Sequence, residues 1–257
     1  MRNFLVCTTK LFFLYPPQKN TAKPLILGFP VLLLVSIIIV DSWGLPLRAT
    51  AQATSFYVVA ALAIIFVLAN RQHPSRFGLA NSITLVRLII TALLASTIGS
   101  LHLITETGLW ALIAFAVSAA LLDGLDGMVA RSRRETSSFG EKFDMEVDAA
   151  FILILAVLVW ELSKVGPWVL AAGLLRYMFV AASWPLPALR AALPPSFRRK
   201  LACVLQIAAS IFALCPLVSS TLQLTLIAAA TIFLFLSFIS DILQLLLNTA
   251  KMPGAQP

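Results

Sequence analysis

The 257-residue chain has little charge: Asp, Glu, Lys and Arg make up 12% of it, against 60% hydrophobic residues, and the mean hydropathy is +0.95. Soluble domains carry about a quarter charged residues, so these values exclude an ordinary soluble protein and imply an integral membrane chain. Cysteine is scarce too. Cys7, Cys203 and Cys215 are odd in number, far apart and never in a C-x-x-C pair, which argues against a disulfide framework and a zinc site and leaves them as small apolar fillers. There are only two histidines, His73 and His102, and no Walker loop, G-x-S-x-G elbow or H-E-x-x-H pair, so histidine-based catalysis is not indicated. No soluble segment is long enough to read nucleic acid, so the net charge of +8 has to be understood against lipid. The start, MRNFLVCTTKLFFLYPPQKN, has no small-residue cleavage site after a full apolar core; residues 1–23 therefore read as a cytoplasmic juxtamembrane segment rather than a removable signal peptide.

What the chain does have is apolar runs of membrane-crossing length, for which about 20 residues suffice. Eight segments come close: 24–45, 54–70, 80–100, 107–130, 143–163, 166–184, 201–218 and 224–248. The runs are continuous rather than alternating with period two, which predicts helices and not a barrel. The expected fold is all-α, a polytopic bundle of about eight transmembrane helices. Lys and Arg collect on cytoplasmic loops. With both termini inside, fifteen of the nineteen basic residues are cytoplasmic, Arg48 and Lys164 lie outside, and Arg87 and Arg176 fall within spans. This orientation puts the two histidines on opposite sides of the membrane. For most single residues in these loops, topology and attraction to anionic headgroups suffice as explanation.

The acidic residues are distributed differently. Of eleven, seven (Asp123, Asp126, Glu135, Glu141, Asp144, Glu146 and Asp148) fall between 123 and 148. Asp123 lies about 12 Å short of Arg131 along a helix, and the following span brings Asp144 and Asp148 to similar depth. Asp123 and Asp126 are spaced i, i+3 and Asp144 and Asp148 i, i+4, so each pair occupies one helix face and two antiparallel helices would present four carboxylates to one point. An ionised Asp within a span costs about 2.5 to 3.5 kcal/mol, and crowded like charges repel further. Divalent cations would offset both terms, and Mg²⁺ or Mn²⁺ suits a site of few carboxylates, retained waters and a phosphate-bearing substrate. Gly127 would let a ligand or a helix approach the backbone, and Gly140 would turn the chain back before the fifth span; both also suit plain helix packing, the reading preferred for Gly124. Arg131 places a planar fork of donors near a phosphate, although an arginine marking topology would sit there too. DGLDG has the wrong register for a calcium loop.

Residues 123–148, DGLDGMVARSRRETSSFGEKFDMEVD, resemble the signature of the CDP-alcohol phosphatidyltransferases, D-x2-D-G-x2-A-R-x8-G-x3-D-x3-D, with all eight fixed positions matched. The resemblance implies displacement of CMP from CDP-diacylglycerol by a small alcohol, at the phosphorus next to the diacylglycerol. It implies that Asp123, Asp126 and Asp144 ligate two divalent ions, and that Asp148 completes the cluster and serves as general base. Asp123, Gly127, Ala130, Arg131 and Gly140 would line the cytidine diphosphate site. Upstream, NSITLVRL looks like the family's first core helix and adds Asn81 and Thr84 as nucleotide-site candidates; alternatively Asn81 is an N-cap and Thr84 part of a polar seam. Downstream, SFRRKLACVLQ looks like the basic turn entering the fifth core helix. The expected organisation is a six-helix catalytic core over 80–248, two additional helices over 24–72 and a cytoplasmic tail, 249–257. The two additional helices depart from the family pattern. The active site would face the cytoplasm, and a homodimer is implied by resemblance alone.

Arg176 within the sixth span is the main pointer to the acceptor. It would bind an acceptor phosphate, with Arg190, Arg198, Arg199 or Lys200, or else pair with the aspartates. Glycerol 3-phosphate is the first acceptor expected, then inositol phosphate, then serine. An intramembrane prenyltransferase is disfavoured because its N-D-x2-D-x3-D half is missing. A divalent cation transporter is disfavoured because it needs no nucleotide cradle.

Overall fold

A computed structural model describes residues 19–69, 77–133, 138–162, 165–185 and 196–250. Among the described residues there are eight α-helices: α1 Lys19–Ser42, α2 Arg48–Ala69, α3 Leu79–Ala95, α4 Glu106–Arg133, α5 Ser138–Leu162, α6 Leu170–Ala182, α7 Phe197–Leu214 and α8 Ser220–Ala250. Short 3-10 turns at Leu101–Leu103 and Pro167–Val169 precede α4 and α6, and no strand occurs among the described residues. The all-helical expectation holds, with one helix for each apolar segment. The ends differ by a few residues because the helices run on into polar flanks, as at Arg48 and Ser138, which hydropathy alone does not register. Conversely, α3 stops at Ala95 rather than near 100. There the Ser96 and Thr97 hydroxyls donate back to the carbonyls of Leu93 and Leu94 (2.6 and 2.8 Å), and the chain turns through Gly99 at φ +75°, a conformation that favours glycine.

Among the described residues, length and composition single out four stretches able to cross a membrane: Lys23–Ser42, Arg48–Ile65, Glu106–Val129 and Ser220–Leu245. The helix α3, with 17 residues, spans about 25 Å at 1.5 Å per residue, less than the ~30 Å hydrocarbon core. Two further helices, α5 and α7, carry most of their charges in their first half: Glu141, Lys142, Asp144, Glu146 and Asp148 on one, with Glu161 near its end, and Arg198, Arg199 and Lys200 on the other.

The chain divides into two compact units, residues 1–148 and 149–257. In the first, α1 and α2 pack on each other and on α3, and α3 packs along α4. One buried cluster joins Leu25 and Leu32 of α1, Tyr57 of α2, Leu88 of α3, and Phe143 and Val147 at the start of α5. Tyr57 donates its hydroxyl to the Leu25 carbonyl (2.7 Å), and its oxygen occupies the space a side chain on Gly28 would need. Arg48 donates from Nη2 to the Gly99 carbonyl (2.9 Å) and to Ser100 Oγ (3.3 Å). This ties the first residue of α2 to the turn after α3, so these two helices run antiparallel.

In the second unit α7 packs along α8, and α6 reaches α8 where Phe179 and Phe238 meet edge to face at 5.5 Å. Gly173 of α6 lies against α5: a Cβ there would fall 2.7 Å from Leu153 Cβ and 2.8 Å from its Cδ1, and would strike its Cα as well. Backbone cannot yield as a flexible side chain can. Gly173→Ala is expected to destabilise the protein by about 2 to 3 kcal/mol, the upper range for overpacking. Denaturant titration in detergent checks this; an unchanged midpoint would mean that α5 and α6 can separate at no cost.

Candidate active site

The apolar run of α3 is interrupted by Asn81, Thr84, Arg87 and Thr91, spaced three, three and four residues apart and all buried. This spacing makes one polar stripe along a helix. The two threonines satisfy themselves locally, Thr84 Oγ1 donating to the Ala80 carbonyl (3.1 Å) and Thr91 Oγ1 to that of Arg87 (2.8 Å). A guanidinium has no such local solution, and only 1% of the Arg87 side chain is exposed. A buried cation needs counter-charges.

They come from α4 and α5. Arg87 Nη2 lies 2.9 Å from Asp123 Oδ1 and also pairs with Asp148 Oδ1, while Nη1 donates to Asp144 Oδ1 at 2.5 Å. Oxygens of the three carboxylates all lie within 4.8 Å of one another. At an effective dielectric of about 20, each pair of like charges so placed repels by on the order of 3 kcal/mol before solvent screening. One guanidinium against three carboxylates leaves two negative charges over. The side chains of Asp123, Asp144 and Asp148 are 25, 36 and 34% exposed, so the arginine closes the base of the cluster and the carboxylates keep an open side. Three oxygen donors converging on one small, open, negatively charged volume fit a divalent cation.

The structure thus brings together three of the four aspartates in the D-x2-D … D-x3-D pattern. Asp126, Ala130 and Arg131 belong to α4, but their side chains lie outside the described residues, as does Arg190 altogether. Gly127 is half-buried on α4. Two glycine readings are corrected. Gly140 sits inside the first turn of α5, which begins at Ser138, so it does not reverse the chain. Gly124 is not a packing glycine: a Cβ there would meet nothing within 4 Å among the described residues, and the helix surface beside Asp123 is open. The N-cap reading of Asn81 also fails, since Gly78 takes that position and Asn81 is buried in the helix.

Arg176 lies on α6, partly buried. Arg198 and Arg199 open α7 and converge on the buried Asp241 of α8, at 2.6 and 3.1 Å, while Lys200 is exposed. Two residues had no role in the sequence reading. Arg87 was recognisable only as an arginine within a span, and Asp241 only as the one acidic residue after Glu161.

No curated protein and no solved structure matches the chain. A family model described as CDP-alcohol phosphatidyltransferase matches residues 77–236, more than half of the 257, and takes in α3, both halves of the aspartate motif and α7. The chain therefore belongs to the CDP-alcohol phosphatidyltransferase family, and is an integral membrane transferase of phosphatidyl groups from a CDP-linked alcohol.

Proposed function

We propose that the protein transfers the phosphatidyl group of CDP-diacylglycerol to glycerol 3-phosphate with release of CMP, in a reaction dependent on Mg²⁺ or Mn²⁺. The observation that carries this reading is the meeting of Asp123, Asp144 and Asp148 over the buried Arg87. These three aspartates, with Asp126, would hold the divalent ions. Once bound, such ions neutralise diphosphate charge and ease departure of CMP.

The chain's own groups supply the rest. Asp148 accepts the proton of the acceptor hydroxyl, whose oxygen forms a bond to the phosphorus next to diacylglycerol as the bond from that phosphorus to the CMP oxygen breaks. The guanidinium of Arg131 pairs with diphosphate oxygens. Gly127, Ala130 and Gly140 keep bulk away from the nucleotide, and Asn81 and Thr84 border it from α3. The open surface at Gly124 leaves room beside Asp123 for the nucleotide.

Glycerol 3-phosphate is preferred as acceptor because the sequence after the aspartate motif is rich in cations: Arg176, Arg190, Arg198, Arg199 and Lys200. The side chains of Arg198 and Arg199 stay partly exposed where they pair with Asp241. The active site of the core over 80–248 lies at the cytoplasmic face in this reading, where phosphorylated acceptors and CDP-lipid headgroups meet.

The test is CMP release by purified protein from CDP-diacylglycerol with Mg²⁺ or Mn²⁺, across glycerol 3-phosphate, inositol phosphate and serine. Release is expected with glycerol 3-phosphate and none after chelation. Release with another acceptor only would keep the chemistry and overturn the acceptor; no release with any would overturn the donor.

A further inference from the structure

A group of three carboxylates that awaits divalent ions has to be held together when those ions are absent, and Arg87 is the group in position to do it. It comes from a third helix, α3, while its partners come from α4 and α5. It reaches all three carboxylates through its two terminal nitrogens, and it is the most buried member of the set. Its backbone carbonyl is tied to Thr91, and its neighbour Leu88 lies in the cluster that also holds Phe143 and Val147, which adjoin Asp144 and Asp148 in sequence. The cation is therefore mounted on the same packed core that fixes two of the carboxylates.

We propose that Arg87 is a positioning residue for the metal site: it holds Asp123, Asp144 and Asp148 in one volume while the site lacks divalent ions, and by doing so it sets how tightly those ions bind. This rests on the metal-site reading above. The argument is one of linkage. Arg87 offsets carboxylate repulsion most where no other cation does so, and its positive charge opposes an arriving divalent ion. Removing it therefore destabilises the ion-free protein more than the ion-bound one, and that difference must appear as tighter ion binding. A side chain that merely shaped the site would have the opposite effect when removed, namely weaker binding.

The experiment compares the full-length wild type with Arg87→Met and Arg87→Lys in detergent. All three are stripped with chelator, then titrated with Mn²⁺ while the free-ion signal is followed by electron paramagnetic resonance. Melting temperatures are taken in chelator and in saturating Mn²⁺. Arg87→Met is expected to bind Mn²⁺ at least about tenfold more tightly than wild type and to show a larger Mn²⁺-induced rise in melting temperature. Lysine keeps the charge but cannot reach three carboxylates as a fork does, and it is expected to fall between the two. If Arg87→Met accumulates only when Mn²⁺ is present, the proposal is supported. If it does not accumulate at all, Arg87→Lys decides, and its Mn²⁺ affinity must exceed that of wild type. Affinities equal to or below wild type in the variants overturn the role of Arg87. Failure of the wild type itself to bind Mn²⁺ overturns the metal-site reading instead.

Discussion

Replacing Asp148 with asparagine is expected to abolish CMP release, lowering it by about 10³-fold or more, while binding of CMP or CDP-diacylglycerol is largely kept. Asparagine has nearly the same size and shape, but it neither accepts the hydroxyl proton nor carries charge for an ion. Loss of a general base alone typically costs 10² to 10⁴ in rate, and weakened ion binding adds to it. Folding should survive, because Arg87 keeps its contacts with Asp123 at 2.9 Å and Asp144 at 2.5 Å. Nucleotide binding should survive because the residues proposed to cradle it, Gly127 to Arg131, are untouched. The measurements are initial rates of CMP release and calorimetric binding of CMP, with thermal unfolding as the control. Full activity in this variant would sink the assignment of Asp148 as base.

Replacing both Arg198 and Arg199 with glutamine is expected to destabilise the protein by about 3 to 5 kcal/mol, the usual cost of leaving a buried charge without its partner. The asymmetry of exposure is the reason. Asp241 is buried, whereas the two arginine side chains are 40 and 30% exposed and can return to water or to headgroups. Arg198 Nη2 also donates to the Ser237 carbonyl at 3.2 Å, so this contact is lost as well. Adding Asp241→Asn to the double variant removes the stranded charge and should restore most of the lost stability, a coupling that a mutational cycle reads directly. Absence of rescue would show that the loss arises elsewhere. The rescued variant also separates two jobs of these arginines: if it is stable yet no longer saturable by glycerol 3-phosphate, they bind the acceptor as well as Asp241.

The eight helices and the aspartate motif were legible in the sequence because both obey rules of spacing within one segment. An apolar run of about 20 residues is visible without neighbours, and so are the i, i+3 and i, i+4 placings of Asp123 with Asp126 and Asp144 with Asp148. Arg87 was not legible in its role, since its partners stand 36, 57 and 61 positions away on other helices, and no spacing rule joins α3 to α4 and α5. Asp241 escaped for the same reason, 42 and 43 positions from its arginines. The glycines were misread for a different one. A helical glycine serves equally for close packing, for an open surface or for a turn. Only the neighbours decide, and they put Gly140 within a helix turn and left Gly124 open among the described residues.

The core shared by α1, α2 and α3 has a consequence for how the protein is made. Chains enter the membrane from the amino terminus, so α3 arrives short, carrying an arginine whose counter-charges have not yet been synthesised. An unpaired arginine near the middle of a span opposes insertion by about 2.5 to 3.5 kcal/mol. The α1–α2 hairpin is already in place by then and presents Leu25, Leu32 and Tyr57 to receive the apolar side of α3. The apolar side of α3 is therefore buried by residues that come earlier in the chain than the aspartates with which Arg87 pairs.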